Sequence, residues 1–104
     1  MLLLAQCLEA VPSLNVDVHD GGWLSSDDAL EGASAVAIFA DGGAGHPLAK
    51  DDHITTISKL VDGRGLGLGL MHYALEPSVG DGAEQVDSWI GGHYQEQVSC
   101  NPIW

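Results

Sequence analysis

The sequence predicts an α/β domain built on a parallel sheet. Stretches of strand length alternate along the chain with stretches whose apolar residues recur at helical spacing. One of the former, Ala35-Val36-Ala37-Ile38-Phe39-Ala40, is apolar throughout, the pattern of a central strand covered on both faces. Glycine, 14 of 104 residues, stands at about twice its usual share with no collagen-like period, which marks tight turns and close backbone approaches.

The elements follow in order. Leu2, Leu3, Cys7, Leu8 and Val11 lie at helical spacing until Pro12-Ser13, so the chain opens inside an amphipathic helix. From Leu14 to His19 the apolar Leu14, Val16 and Val18 alternate with Asn15, Asp17 and His19, predicting a half-buried strand closed by Asp20-Gly21-Gly22. Ser25-Ser26-Asp27-Asp28 supplies capping oxygens for a short helix through Leu30 and Glu31, with Gly32 as its stop. The strand Ala35 to Ala40 then runs into the glycine-rich loop Asp41-Gly42-Gly43-Ala44-Gly45-His46-Pro47. Ile54, Ile57, Leu60 and Val61 mark a helix from Ala49 to Asp62 ending at Gly63, and Asp51-Asp52 favour its N-terminus through the dipole. Leu66, Leu68 and Leu70 alternate with Gly67, Gly69 and Met71, predicting a third strand, Leu66 to Met71, with one nearly bare face. A last helix spans Gly82 to Ile90. Three short strands close a parallel-sheet core poorly, so the pattern predicts a further strand before Met1 and further elements after Trp104. Apolar surface left uncovered without them leaves homo-oligomerisation open.

Composition narrows the function classes. Three basic against 15 acidic residues give a net charge of −12, which opposes binding to nucleic acid or to anionic membrane surfaces. A hydrophobic share of 45% with 17% charged residues excludes a disordered acidic tail. Cys7 and Cys100 form no metal or disulfide pattern, and the expected compartment is the cytoplasm. The apolar start lacks a basic region and is interrupted by Gln6 and Glu9, so it reads neither as a signal peptide nor as a membrane span.

Four segments stand in an ordered series: Asp41-Gly42-Gly43-Ala44-Gly45-His46-Pro47, Gly69-Leu70-Met71-His72-Tyr73-Ala74, Ser88-Trp89-Ile90-Gly91-Gly92-His93-Tyr94, and Ser99-Cys100-Asn101-Pro102. In these the chain resembles the ThuA-like (trehalose utilisation) family of the class I glutamine amidotransferase-like superfamily, over nearly its whole length. The resemblance implies a flavodoxin-like three-layer α/β/α sandwich of which residues 1–104 are one partial domain. It also implies a role in using disaccharides or oxidised sugars. Amidotransferases of the superfamily carry a nucleophilic cysteine on a sharp turn after a central strand. Here the matching turn holds His72, and neither cysteine falls there, so glutaminase chemistry does not carry over.

In parallel sheets ligands bind outside the carboxyl ends of the strands. The strand ends nominate Asp41, His46 and His72 for proton transfer, with Gly42, Gly43, Tyr73 and Glu76 to bind substrate. These residues are expected on one rim facing a shared pocket, the glycines leaving room for a small-molecule sugar or sugar derivative. Two of them have plainer readings, Asp41 as a turn residue and His46 as a partner of the loop backbone. His46, His72 and His93 with Asp41 and Glu76 would hold a divalent metal only by converging in space, since no ligand spacing links them. The residues name no cofactor. His19 and His53 read as solvated, Trp89 as core, and Trp23 and Trp104 as candidates to stack on sugar faces. A non-catalytic sugar-binding or assembly domain, or an inactive fragment, is the alternative to an enzyme.

Overall fold

The computed structural model describes residues 2–78 and 82–95. Helix α1 (Leu2–Glu9) and the short α2 (Asp28–Glu31) precede strand β1 (Ala35–Ala40). Helix α3 (His53–Arg64), strand β2 (Gly67–His72) and helix α4 (Ala83–Ile90) follow, with single 3-10 turns at Pro47–Ala49 and Tyr73–Leu75. The result is a compact α/β domain around a two-stranded parallel sheet. Its register sets Ala35 against Gly67 and Ala40 against His72, so both strands end at the same edge. None of the described helices is long and apolar enough to cross a membrane.

The expected strand from Leu14 to His19 is not formed. The backbone there is irregular, and Leu14 and Val18 remain 46% and 47% exposed. Alternation marks a strand only where a neighbouring backbone supplies the hydrogen-bond ladder, and no described strand lies beside this segment. The sheet also departs from the expectation of two covered faces. Val36, Ile38, Leu68 and Leu70 turn inward, while Ala35, Ala37, Phe39, Gly67, Gly69 and Met71 are exposed. The all-apolar run of β1 therefore covers one packed face and one bare face.

The core lies on the inward face. Leu30 of α2, Leu48, Ile57 of α3 and Val86 of α4 form its buried centre, and Leu60, Val61 and Trp89 pack around them. The stripe Ile54, Ile57, Leu60 and Val61 gives α3 its buried side, as the spacing predicts. Its ends differ from the expected Ala49 and Gly63. Pro47–Ala49 makes a separate turn, because Pro47 favours the first position of a new element, and Asp52 takes the N-cap position of α3. At the other end Gly63 is helical, and Gly65 (φ 71°, ψ 31°) stops the helix, its amide donating to the Val61 carbonyl at 3.0 Å. Helix α4 is framed by two left-handed glycines, Gly82 and Gly91, at the limits the sequence predicts. Helix α1 forms as expected, but Leu2 and Leu3 are each 74% exposed and only Ala5 is buried.

Candidate functional site

Two loops leave the carboxyl ends of β1 and β2 and are tied side by side. The Gly43 amide donates to the Glu76 carbonyl at 2.8 Å, and Gly43 and Pro77 form a parallel bridge. A Cβ on Gly42 would lie 2.7 Å from the Tyr73 carbonyl oxygen and 2.8 Å from Glu76 Cβ, so only glycine lets the loops approach this closely. The room expected for a ligand at Gly42 is taken by the protein itself. Gly43 (φ 59°) differs: no atom would lie within 4 Å of a Cβ there.

Above this junction an open pocket of about 320 Å³ is lined by Gly42, Gly43, Tyr73, Glu76 and Tyr94. The four residues expected to bind substrate thus line one open hollow. Tyr94 lies outside the sequence expectation, because it follows no strand. It reaches the pocket by a chain reversal after Gly91 (φ 84°), and its amide donates to the Leu75 carbonyl at 2.6 Å. The signal available in the sequence was the Gly91-Gly92-His93-Tyr94 run, whose glycines permit that reversal.

The three residues nominated for proton transfer are not among those lining the pocket, so the shared rim forms only in part. His46 is fully buried. Its Nδ1 accepts from the Leu48 amide at 3.1 Å, which fixes the proton on Nε2, and Nε2 donates to the Ala74 carbonyl at 2.9 Å. With both nitrogens bound to backbone, His46 staples the two loops and has no nitrogen left for a substrate. Asp41 is exposed at the end of β1. His72 is exposed at the end of β2, its ring stacked on Phe39 with centroids 4.9 Å apart and edge-on to Tyr73 at 4.2 Å. Its backbone, at φ 60° and ψ −135°, is in a region that side-chain-bearing residues rarely adopt. The strand therefore enters the Tyr73–Leu75 turn through a strained elbow that presents His72 beside a pocket-lining ring.

Among the described residues no group of three His, Cys, Asp or Glu side chains is placed to hold a metal ion, and His46, His72, His93, Asp41 and Glu76 do not converge. His93 turns back to its own helix, where Nδ1 meets Asp87 Oδ1 at 2.6 Å. His53 is half-buried rather than solvated: its Nδ1 donates to the Pro47 carbonyl at 2.7 Å and its ring stacks on Trp23 at 3.9 Å. That stacking occupies a face of Trp23. Trp89 packs on the core as expected, its indole N–H donating to Asp62 at 3.2 Å. The motif Ser99 to Pro102 and Trp104 lie outside the described residues.

Comparison of the chain with protein-family models, with curated proteins and with solved structures returns no match.

Proposed function

We propose that the chain is a ThuA-like domain that takes a sugar or sugar derivative in the pocket between the β1 and β2 loops, with His72 and Asp41, the chain neighbours of the lining residues Tyr73 and Gly42, serving proton transfer at its edge. One observation carries the reading. Gly42, Gly43, Tyr73 and Glu76, which follow the carboxyl ends of the two strands, line one pocket whose volume of about 320 Å³ suits a small sugar. Tyrosine rings stack against the apolar faces of a pyranose, and a carboxylate accepts from its hydroxyls. The elbow at His72 supports the catalytic part, since backbone strain collects at functional positions. The bare apolar sheet face supports the flavodoxin-like sandwich, in which a further layer packs on that side. The exposed, unpaired Cys7 thiol suits the cytoplasm.

A non-catalytic sugar-binding domain is the second reading, favoured by the loss of His46 to a structural role. Titration of the isotopically labelled chain with glucose and trehalose tests the site. Amide shifts centred on Gly43, Tyr73, Glu76 and Tyr94 are expected, and shifts confined to other residues, or none, overturn the reading. Loss of turnover but not of binding in His72→Ala separates the enzyme from the binding domain.

A further inference from the structure

We infer that the sugar accepted by this pocket carries a protonated amine. The inference rests on the sugar reading above and names the ligand class within it. Three features of the pocket select charge.

The first is Glu76. The residue is half-buried and lines the pocket, and no hydrogen bond or ion pair joins its carboxylate to another described residue. The surrounding charge does nothing to neutralise it. Only three basic residues stand against 15 acidic ones, none of the three lines the pocket, and Asp41 adjoins the lining residue Gly42. A cation entering here gains an ion pair in a field of one sign, which also concentrates cations at the mouth.

The second is the pair of phenol rings. Tyr73 and Tyr94 both line the space, and the electron-rich face of an aromatic ring attracts an ammonium that comes within about 6 Å of it. Aromatic rings beside one carboxylate are the chemistry by which proteins hold organic cations. A neutral sugar uses the same rings through its C–H faces, so an amino sugar gains from both halves of the pocket.

The third feature weakens the anionic alternative. A glycine-rich loop binds phosphate by pointing free amides at it. Here the amides of Gly43, Gly45 and His46 donate to the carbonyls of Glu76, Gly42 and Gly43 at 2.8, 3.3 and 3.0 Å. Three of the loop's amides are thus spent on backbone carbonyls, which weakens it as a cradle for a sugar phosphate or uronate.

The test is titration of the full 104-residue chain with glucosamine, glucose, N-acetylglucosamine and glucuronate, followed by calorimetry or amide shifts, at low and at high ionic strength. Glucosamine is expected to bind about fivefold more tightly than glucose, the combined effect of an exposed ion pair and a cation–π contact. High salt should reduce that preference and leave the affinity for glucose and N-acetylglucosamine nearly constant. Glu76→Gln, which keeps the backbone bonds of residue 76, should bring the glucosamine and glucose affinities together. If that variant does not fold, the salt dependence in the native chain decides. Equal binding of glucose and glucosamine, or a salt-independent preference, overturns the inference and leaves the sugar reading standing. Tighter binding of glucuronate also overturns it. Binding of none of the four overturns both.

Discussion

The His46 imidazole donates through Nε2 to the Ala74 carbonyl at 2.9 Å and thereby joins the loop after β1 to the turn after β2. Both ends of the bond are fully buried, so the loop junction that shapes the pocket is held by a polar contact sealed from water. Such a contact is more costly to lose than it is stabilising to form, because the orphaned partner stays desolvated.

His46→Ala should therefore lower stability by about 2 to 4 kcal/mol, since it orphans the Leu48 amide and the Ala74 carbonyl and leaves a cavity. Chemical denaturation monitored by circular dichroism measures this. A loss below about 1 kcal/mol would mean that water satisfies both groups and that the histidine is no staple.

Gly42 and Gly43 are neighbours with opposite environments, and alanine at each separates them. At Gly42 the new Cβ meets backbone oxygens at 2.7 and 2.9 Å, which cannot swing aside as a side-chain tip would. The loops must part, and the bond from the Gly43 amide to Glu76 should lengthen and exchange its proton faster. At Gly43 only the left-handed backbone resists substitution, a cost of about 1 kcal/mol. Hydrogen exchange at the Gly43 amide in Gly42→Ala, compared with the melting temperature of Gly43→Ala, tests both expectations.

Helix α3 ends at Gly65 rather than at Gly63, and alanine should act with opposite signs at the two positions. Gly63 is helical with open space around it, so Gly63→Ala should stabilise the chain by about 0.5 to 1 kcal/mol. Gly65 stands at φ 71°, so Gly65→Ala should destabilise it by about 1 kcal/mol. Equal and like-signed shifts in melting temperature would contradict the observed helix end.

What the sequence made legible follows the range of the interactions. Strand β1 was readable because six consecutive apolar residues have few alternatives, and α4 because glycines stand at both its ends. The Leu14 to His19 segment misled because alternation is local, whereas a strand needs a partner. The pocket walls at Gly42, Gly43, Tyr73 and Glu76 were legible from topology, since parallel strands deliver their following loops to one edge. Tyr94 was not, because its place depends on a reversal after α4 that no strand end announces. The sequence places His46 in the loop after β1, and there both of its ring nitrogens meet backbone groups. A histidine before proline reads the same whether its nitrogens face substrate or backbone, and only the approach of Ala74, 28 residues on, decides between them.

His72 lies at φ 60° and ψ −135°, and the strain can be separated from the ring by two substitutions. His72→Ala removes the stacking on Phe39 and Tyr73 but keeps a Cβ in the strained backbone. His72→Gly removes both. A side chain held in such a region costs about 1 to 3 kcal/mol, so the glycine variant should be more stable than the alanine variant by about that amount. It should also equal or exceed the native chain, because the ring it loses is exposed and contributes little. On the proposed catalytic reading, both variants should lose turnover of a bound sugar while keeping its binding, since the lining residues stay in place. That combination, a residue whose removal helps the fold and harms the activity, is what a position retained for chemistry produces. Thermal melts of the native chain and the two variants, read beside their turnover, make the comparison. Alanine matching glycine in stability would show that the elbow is relaxed, and the case for His72 as the catalytic group would lose its structural support.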